Sequence, residues 1–546
     1  MYSDKKSIQQ LSVLLRAHEV KKVVMCPGNV NVPLIQTLLH ISDFTCYSMN
    51  DERNAGFFAL GLALHETHPV AVMCAEGSGL ANLLPVVAEA RRQQVQLVVI
   101  SVGVGKGEAA AKVSLADGVK CTVCLTDDNS EESAQYRNLL INKALLECKH
   151  HGKGPVHISV QLSEPFFACN STDLPEERVI ERYQGLNMYE QDYQPLIDKL
   201  NRYKKRMVIA GQMNTIYEFD KKHERTLAKQ MVWMTELLSN HTTPGMPIRR
   251  MEELLYPMDL KTQESLSPEL LITFGGAIVS RRVKYFLRKH KPLEHWHVSK
   301  DGELNDVFGA LTVVIEMDPF EFFEKTASLI EDVPPLYPRQ WEQLAEKLPA
   351  PRFPYSEMMA VGRLMTLLPS GCSLHLGTGS VVRYAQMFAL PEDVEIQSNM
   401  GLEGAEGVLA TGLGYATASE KINYIVLGDV SFFSGMNALW NMNYGSNIRI
   451  MVVNNGGHEQ LQNLPGFNGD ERTMRFVTGS HQVSAQAWAT DRGFTYLSAH
   501  NEAELEEVLP KFTKADITRQ PIILEVFTDM ASDAEVLKQY YKSLKK

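Results

Sequence analysis

Two short segments of this 546-residue chain carry side chains that could do chemistry together. "IVLGDVSFFSGMNAL" reads as a buried strand that releases Asp429 at its C-terminal end, and "RIMVVNNGG" reads as a second that releases Asn455. Asn455 follows Asp429 by 26 positions (455 − 429). That is room for one helix and a return strand, so the two turns fall side by side. One carboxylate, one amide oxygen and a backbone carbonyl near Gly457 suit a hard divalent cation such as Mg²⁺. Such an ion takes oxygen ligands in near-octahedral geometry and leaves positions for a diphosphate. Gly428 allows close approach, and Ser431 with the helix start behind it offers donors to phosphate. Taken singly, each motif is also ordinary turn chemistry, Asp after Gly and Asn-Asn-Gly.

A further acidic group stands in "NDERNAGFFALGLAL", Asn50 to Leu64. Asp51, Glu52 and Arg53 precede an apolar, Ala/Gly-rich helix. Asp51 suits the N-cap, and Glu52 suits the positive end of the helix dipole.

The elements that must position these groups alternate strand and helix. "KKVVMCPGN", "PVAVMCAEGSG" and "QLVVISVGVG" read as short buried strands ending in Gly-bearing turns, and "GPVHISVQLSEPFF" adds another. A polar stretch, "NSTDLPEERVIERYQGLNMYEQDYQP", reads as a linker. "RMVIAGQMN", "LLITFGGAIVSRRVKYFLRKH" and "LTVVIEMDP" form a second unit, closed by the proline-rich "EDVPPLYPRQ" and "KLPAPRFPYSE". "CSLHLGTGS", "INYIVLGDVS", "IRIMVVNNGG" and "QPIILEVF" build a third. The expectation is three doubly wound α/β domains with parallel sheets, over residues 1–180, 190–345 and 355–546. The first and third are strand-rich in a similar way without an exact sequence repeat.

Hydrophobic residues make up 44% and charged residues 22%, with a formal net charge of −11. The balance argues against a general nucleic-acid binder, which needs a basic surface. No apolar run approaches membrane-spanning length and no signal-peptide pattern opens the chain, so a cytoplasmic protein without membrane insertion is expected. The eight cysteines are scattered. Cys121 and Cys124 form a lone C-x-x-C with no second pair, so reduced, mostly buried thiols are expected.

In order and spacing, Gly428-Asp429-Val430 followed by Asn454-Asn455 resembles the diphosphate and metal motif of thiamine-diphosphate enzymes, with Val430 in place of the second glycine. "CPGNVNVPL", "DERNAGFFALGLA", "ANLLPVVAEA", "GPVHISVQLSEP", "SVVR" and "SNMGLEGAEG" extend the resemblance over most of the chain. Together they are similar to the menaquinone-pathway synthases that make 2-succinyl-5-enolpyruvyl-6-hydroxy-3-cyclohexene-1-carboxylate (SEPHCHC). The resemblance implies pyrimidine-binding, central and diphosphate-binding domains. It also implies decarboxylation of 2-oxoglutarate with transfer of the succinic semialdehyde unit to isochorismate. Glu52 matches the glutamate that contacts N1′ of the aminopyrimidine and favours the tautomer able to accept the C2 proton. Cofactor contacts are implied at Glu52, Ser78, Asn82, Gly377, Gly379, Gly428, Asp429, Val430, Ser431 and Asn455. Asp429, Asn455 and Gly457 would hold Mg²⁺, with Mn²⁺ as an alternative. Because the two cofactor ends bind different subunits in that family, a homodimer or homotetramer with active sites between subunits is implied.

The substrate side departs from the pattern. The family's Ser-Pro-Gly-Ser-Arg is Cys26-Pro27-Gly28-Asn29-Val30 here, its Thr-Ala-Asp-Arg-Pro turn is Ser101 to Gly105, and the arginine of Ser-Asn-Arg-Gly is Met400. The Asn-Gln pair is absent from "GEAAAKVSLADG", and Ala405 stands where an apolar wedge is expected. Valine cannot replace a bidentate arginine against a carboxylate. Arg383 in "GSVVRYA", and Arg281 and Arg282 in "VSRRVKYF", match the basic groups that remain. Glu76 stands where the family has a small hydroxyl residue. His150 and His151 read as a surface loop, and His458 stands close to the metal motif. "LLITFGGAIVSRR" lacks the G-x-G-x-x-G arrangement of a dinucleotide site. Two alternatives stay open: a thiamine-diphosphate enzyme acting on another 2-oxo acid or acceptor, and a catalytically weak paralogue that binds cofactor.

Overall fold

The computed structural model describes residues 1–104, 113–182, 190–214, 216–242, 247–391, 393–462 and 469–545. The first domain contains β1 (Lys22–Met25), β2 (Thr45–Ser48), β3 (Val70–Ala75), β4 (Leu97–Val104), β5 (Thr122–Leu125) and β6 (Val156–Leu162), in the order β2-β1-β3-β4-β6-β5. The central domain contains β7 (Arg206–Ala210), β8 (Tyr217–Glu218), β9 (Val232–Thr235), β10 (His241–Thr242), β11 (Leu270–Phe274), β12 (Glu294–Ser299) and β13 (Leu311–Glu316). Its main sheet runs β13-β12-β11-β7-β9, with β8 and β10 paired apart. The third domain contains β14 (Ser373–Leu376), β15 (Glu395–Gln397), β16 (Asn423–Gly428), β17 (Ile448–Asn454), β18 (Thr495–Ala499) and β19 (Ile522–Phe527), ordered β15-β14-β16-β17-β19-β18. All pairings between these strands are parallel.

The first and third sheets therefore share one topology, which composition shows only as similar strand content. Val, Ile and Leu dominate the inner strands because helices cover both faces. One core cluster runs through both domains, with Phe58, Leu62 and Val72 from the first and Leu409, Leu413 and Ile450 from the third. At its centre, helix Glu52–His65 crosses helix Val408–Ala418 almost backbone to backbone. A Cβ at Gly61 would lie 2.0 Å from the Thr411 carbonyl oxygen, and one at Gly414 2.0 Å from that of Phe58. This contact explains the Ala/Gly-rich composition of both helices. Gly414→Ala should therefore cost at least about 2 kcal/mol of stability, since one methyl forces two packed backbones apart. A parent-like thermal transition in that variant would show that the crossing can open freely.

Two sequence expectations change. Ser101 to Val104 is not a turn: these residues continue β4, pairing with Ser159 to Leu162 of β6, while residues 105–112 lie outside the described residues. The polar linker is in part a strap on the first domain. Asp4 accepts the amides of Asn170 and Ser171, Gln10 and Asn138 donate to Glu177, and Asn138 also reaches the Arg178 carbonyl. Its polarity serves these bonds rather than solvation alone. All eight cysteines are free; Cys26, Cys74, Cys148 and Cys372 are buried, Cys46, Cys121 and Cys169 partly so, and Cys124 is exposed. Among the described residues, no helix is long and apolar enough to cross a membrane.

In the central domain the crevice between β7 and β11 is where an open α/β sheet of this order would take a nucleotide. Here the two turns are zipped together. Gln212 N donates to the Ala277 carbonyl at 2.9 Å and Gly276 N to that of Gln212 at 2.8 Å. A Cβ at Gly211 would lie 2.2 Å from the Gly276 oxygen.

Candidate active site

Three neighbouring strands of the third sheet end in the turns singled out by sequence. β14 leads to Gly377–Gly379, β16 to Asp429 and β17 to Asn455, with the β14/β16 boundary at the point where strand order reverses. Asp429 is buried. Its Oδ1 accepts Val430 N at 2.7 Å, and its Oδ2 accepts the amides of Gly456 at 2.8 Å and Gly457 at 3.0 Å. Asn455 Oδ1 accepts the same Gly457 amide at 3.1 Å, so both side-chain oxygens converge on one point. Gly456 and Gly457 hold φ of +84° and +150°, which favours glycine at both. Among the described residues, a Cβ at Gly428 would meet nothing within 4 Å, which leaves space beside the strand end. Val430 and Ser431 begin the helix Asp429–Gly435 behind it. Gly379, with φ of +80°, keeps its turn close to Gln460. A carboxylate and an amide oxygen brought together here are donor types that fit a hard cation, which would also hold phosphate oxygens.

Around this point the interior is unusually acidic. Glu357 accepts from the Asn455 side-chain amide and is buried. Burial first, then Asp533, Glu459 and Asp429, push its carboxyl well above the usual range. Asp533 is pushed up to about 7 and Glu459 is raised, burial being the main cause for each. Asp429 is raised by burial despite its amide donors.

The first domain builds the other end. Asp51 caps its helix by accepting Asn54 N at 3.2 Å, as expected. Glu52 begins that helix, partly exposed, and faces the short helix Ser78–Asn82 after β3. Asn82 Nδ2 donates to Glu52 Oε2 at 3.3 Å, and a Cβ at Gly79 would lie 3.1 Å from Glu52 Oε1. Glu52, Ser78 and Asn82 are thus gathered at one mouth. Glu76 lies along the same sheet edge, where Ser159 Oγ and Gln161 Nε2 donate to its Oε1 at 2.8 and 2.5 Å. It occupies the space that a side chain at Gly103 would need.

The replaced arginine positions differ in exposure, with Val104 of the altered 101–105 segment exposed. Met400 is 3% exposed in the third-domain core, and Val30 packs against the first-domain core. Arg383 and Arg281 come close enough for Arg281 to add to burial in lowering the Arg383 pKa. Arg383 Nη1 donates to Gln460 Oε1 at 3.4 Å, while its buried Nε has no partner among the described residues. Arg282 turns elsewhere: it pairs with Glu252 at 3.1 Å and lies 4.5 Å over the Tyr256 ring. The rings of His150 and His151 touch at a tilt and pair with Glu147 and Glu316, and His458 N donates to the Thr478 carbonyl.

Residues 6–120 match the family described as thiamine pyrophosphate enzyme, N-terminal TPP binding domain, and residues 377–526 match its C-terminal TPP binding domain. The chain is 53% identical over 100% of its length, and 100% of the relative's, to the 2-succinyl-5-enolpyruvyl-6-hydroxy-3-cyclohexene-1-carboxylate synthase of Bacteroides fragilis. It is 50% identical to the enzymes of that name from Phocaeicola vulgatus, covering 100% of this chain and 99% of the relative, and Bacteroides thetaiotaomicron, covering 100% of both. The chain belongs to the SEPHCHC synthase family. Like other members, it is a thiamine-diphosphate-dependent enzyme built on three parallel-sheet α/β domains.

Reading this SEPHCHC synthase family member from sequence missed several groups at the site. Glu357 lies 98 positions from Asn455, and only folding brings the two together. Glu459 accepts from Ser380 Oγ and Tyr384 OH, tying the helix after Gly379 to the loop after Asn455. His481 Nε2 stands 3.2 Å from Asp429 Oδ2. No spacing rule flags these residues. An acid inside an apolar run, as with Glu357 in "SEMMAVGRLM", is the one available signal.

Proposed function

We propose that this enzyme decarboxylates 2-oxoglutarate and joins the remaining four-carbon unit to isochorismate, releasing carbon dioxide and forming SEPHCHC. Thiamine diphosphate supplies the carbanion chemistry, and the chain supplies tautomer, orientation and charge. Asp429, Asn455 and the Gly457 carbonyl would hold Mg²⁺ or Mn²⁺. Gly377, Gly379, Gly428, Val430 and Ser431 would line the diphosphate, and Glu52, Ser78 and Asn82 the aminopyrimidine. The observation that carries this reading is the convergence of Asp429 and Asn455 on the Gly457 amide, beside the space in front of Gly428. A homodimer or homotetramer would pair Glu52 of one subunit with Asp429 of another.

Arg383 and Arg281 are the proposed carboxylate readers. Two guanidinium groups within electrostatic reach of each other, one with a buried N–H that has no partner among the described residues, favour an anion near them. Arg282 would contribute through its place on the same helix, although its charge is already met by Glu252. Arg383→Ala should lower kcat/KM for the 2-oxo acid by roughly tenfold to a hundredfold. An unchanged value would remove Arg383 from the substrate site. The overall reading is tested by supplying a panel of 2-oxo acids with and without isochorismate and following carbon dioxide release and product mass.

The buried Met400 and the partly buried Val30, each where the family pattern has an arginine, favour a second reading, in which acceptor transfer is weakened and decarboxylation persists. Carbon dioxide release without a joined product, at saturating isochorismate, would favour it. The intact Glu52 mouth speaks against a scaffold that only binds cofactor.

A further inference from the structure

The segment between β15 and helix Val408–Ala418 is held from three sides. From the central domain, Gln212 Nε2 donates to the Ser398 carbonyl at 2.7 Å, and Asn240 Oδ1 accepts Ile396 N at 2.8 Å. From the third domain itself, Thr378 Oγ1 donates to the Gly404 carbonyl at 2.8 Å, tying the segment to the Gly377–Gly379 turn. From the first domain comes Glu89, 2% exposed on helix Leu84–Arg92. Its Oε1 accepts Gly401 N and its Oε2 accepts Leu402 N, both at 2.8 Å, and Gln93 Nε2 donates to Oε1 at 2.6 Å. Gly401 allows this approach, because a Cβ there would lie 2.7 Å from that of Arg92. The next residue along, Glu403, lies within electrostatic reach of Arg383.

A clip between domains needs no charge, as Gln212 and Asn240 show. Burying a carboxylate whose partners are all neutral carries a desolvation cost. In return, the carboxylate makes two charge-assisted bonds to consecutive amides, which fix the orientation of that peptide more firmly than an amide side chain could. An amide side chain would turn its NH₂ toward one of the two N–H groups.

We infer that Glu89 is a positioning residue for the reaction: it fixes the 401–404 loop between the diphosphate turn and Arg383. The inference rests on the reading given under Proposed function, and its first measurement is independent of activity. In hydrogen exchange without cofactor, Glu89→Gln should speed exchange of the Gly401 and Leu402 amides by at least about tenfold, as expected for loss of charge-assisted bonds. In the complete enzyme, the same variant should raise KM for the 2-oxo acid by roughly tenfold to a hundredfold. Its affinity for thiamine diphosphate, followed by fluorescence quenching, should stay within about threefold of the parent. Asn240→Ala, which loosens the same junction at Ile396, should lower the thermal transition without that rise in KM. Unchanged exchange in Glu89→Gln would overturn the inference, as would an unchanged KM or an equal rise in Asn240→Ala. If the parent releases no carbon dioxide from any 2-oxo acid, the proposed function fails. Faster exchange in Glu89→Gln would then leave Glu89 as a loop anchor alone, which also overturns its role in the reaction.

Discussion

Glu52→Gln should lower kcat by at least about a hundredfold while leaving thiamine diphosphate affinity within about threefold, the range expected when a positioned acid–base group is lost but its shape is kept. The side chain starts its helix beside Ser78–Asn82, where Asn82 Nδ2 meets Oε2 and Oε1 faces the Gly79 backbone. An isosteric amide can keep the contact with Asn82. It cannot exchange a proton with a ring nitrogen, so binding and activation separate. The readout is exchange of the cofactor C2 proton, followed by NMR on the bound complex. Asp51→Asn is the paired measurement. Asp51 accepts Asn54 N, Asn54 Nδ2 and Asn437 Nδ2, all of them structural contacts, and asparagine keeps the cap on Asn54 N. Exchange should survive in Asp51→Asn and collapse in Glu52→Gln. Equal exchange in parent and Glu52→Gln would remove Glu52 from the activating role.

The local parts of this arrangement were legible in the chain. The strands ending at Asp429 and Asn455 are continuous apolar runs closed by Gly and Asn, and neighbouring parallel strands follow from a 26-residue return (455 − 429). Asp51 as cap follows from its place before an apolar helix. Non-local pairing was illegible, because no sequence separation encodes it. Glu357 against Asn455 and Glu89 against Gly401 each join distant segments. β4 was cut short in reading because Gly103 looks like a turn residue. In the fold it is a strand glycine that makes room for Glu76. Arg281 and Arg282 are indistinguishable in sequence. The helix sends one toward Arg383 and the other onto Tyr256, since adjacent helical residues point about 100° apart.

Asp429→Ala should weaken cation-dependent retention of thiamine diphosphate by at least about a hundredfold, because even outer partners of a metal ligand typically cost tenfold to a hundredfold. The acid cluster gives this expectation a pH signature. Asp429, Glu357, Asp533 and Glu459 are all raised, with burial the main cause, and Asp533 reaches about 7. A carboxyl raised in the folded state opposes folding increasingly as pH climbs from its unfolded value through its folded one, because the folded protein must then hold the charge. A bound divalent cation offsets that repulsion, and protons compete with it at lower pH. Adding a chelator to the cofactor complex should therefore lower the thermal transition more at about pH 8 than at about pH 6, the two sides of the Asp533 value. In Asp429→Ala, the chelator should have little effect at either pH. A chelator shift of the same size at both pH values in the parent would mean that the cation does not meet the charge of this cluster. A full chelator shift persisting in Asp429→Ala would place the cation elsewhere in the protein.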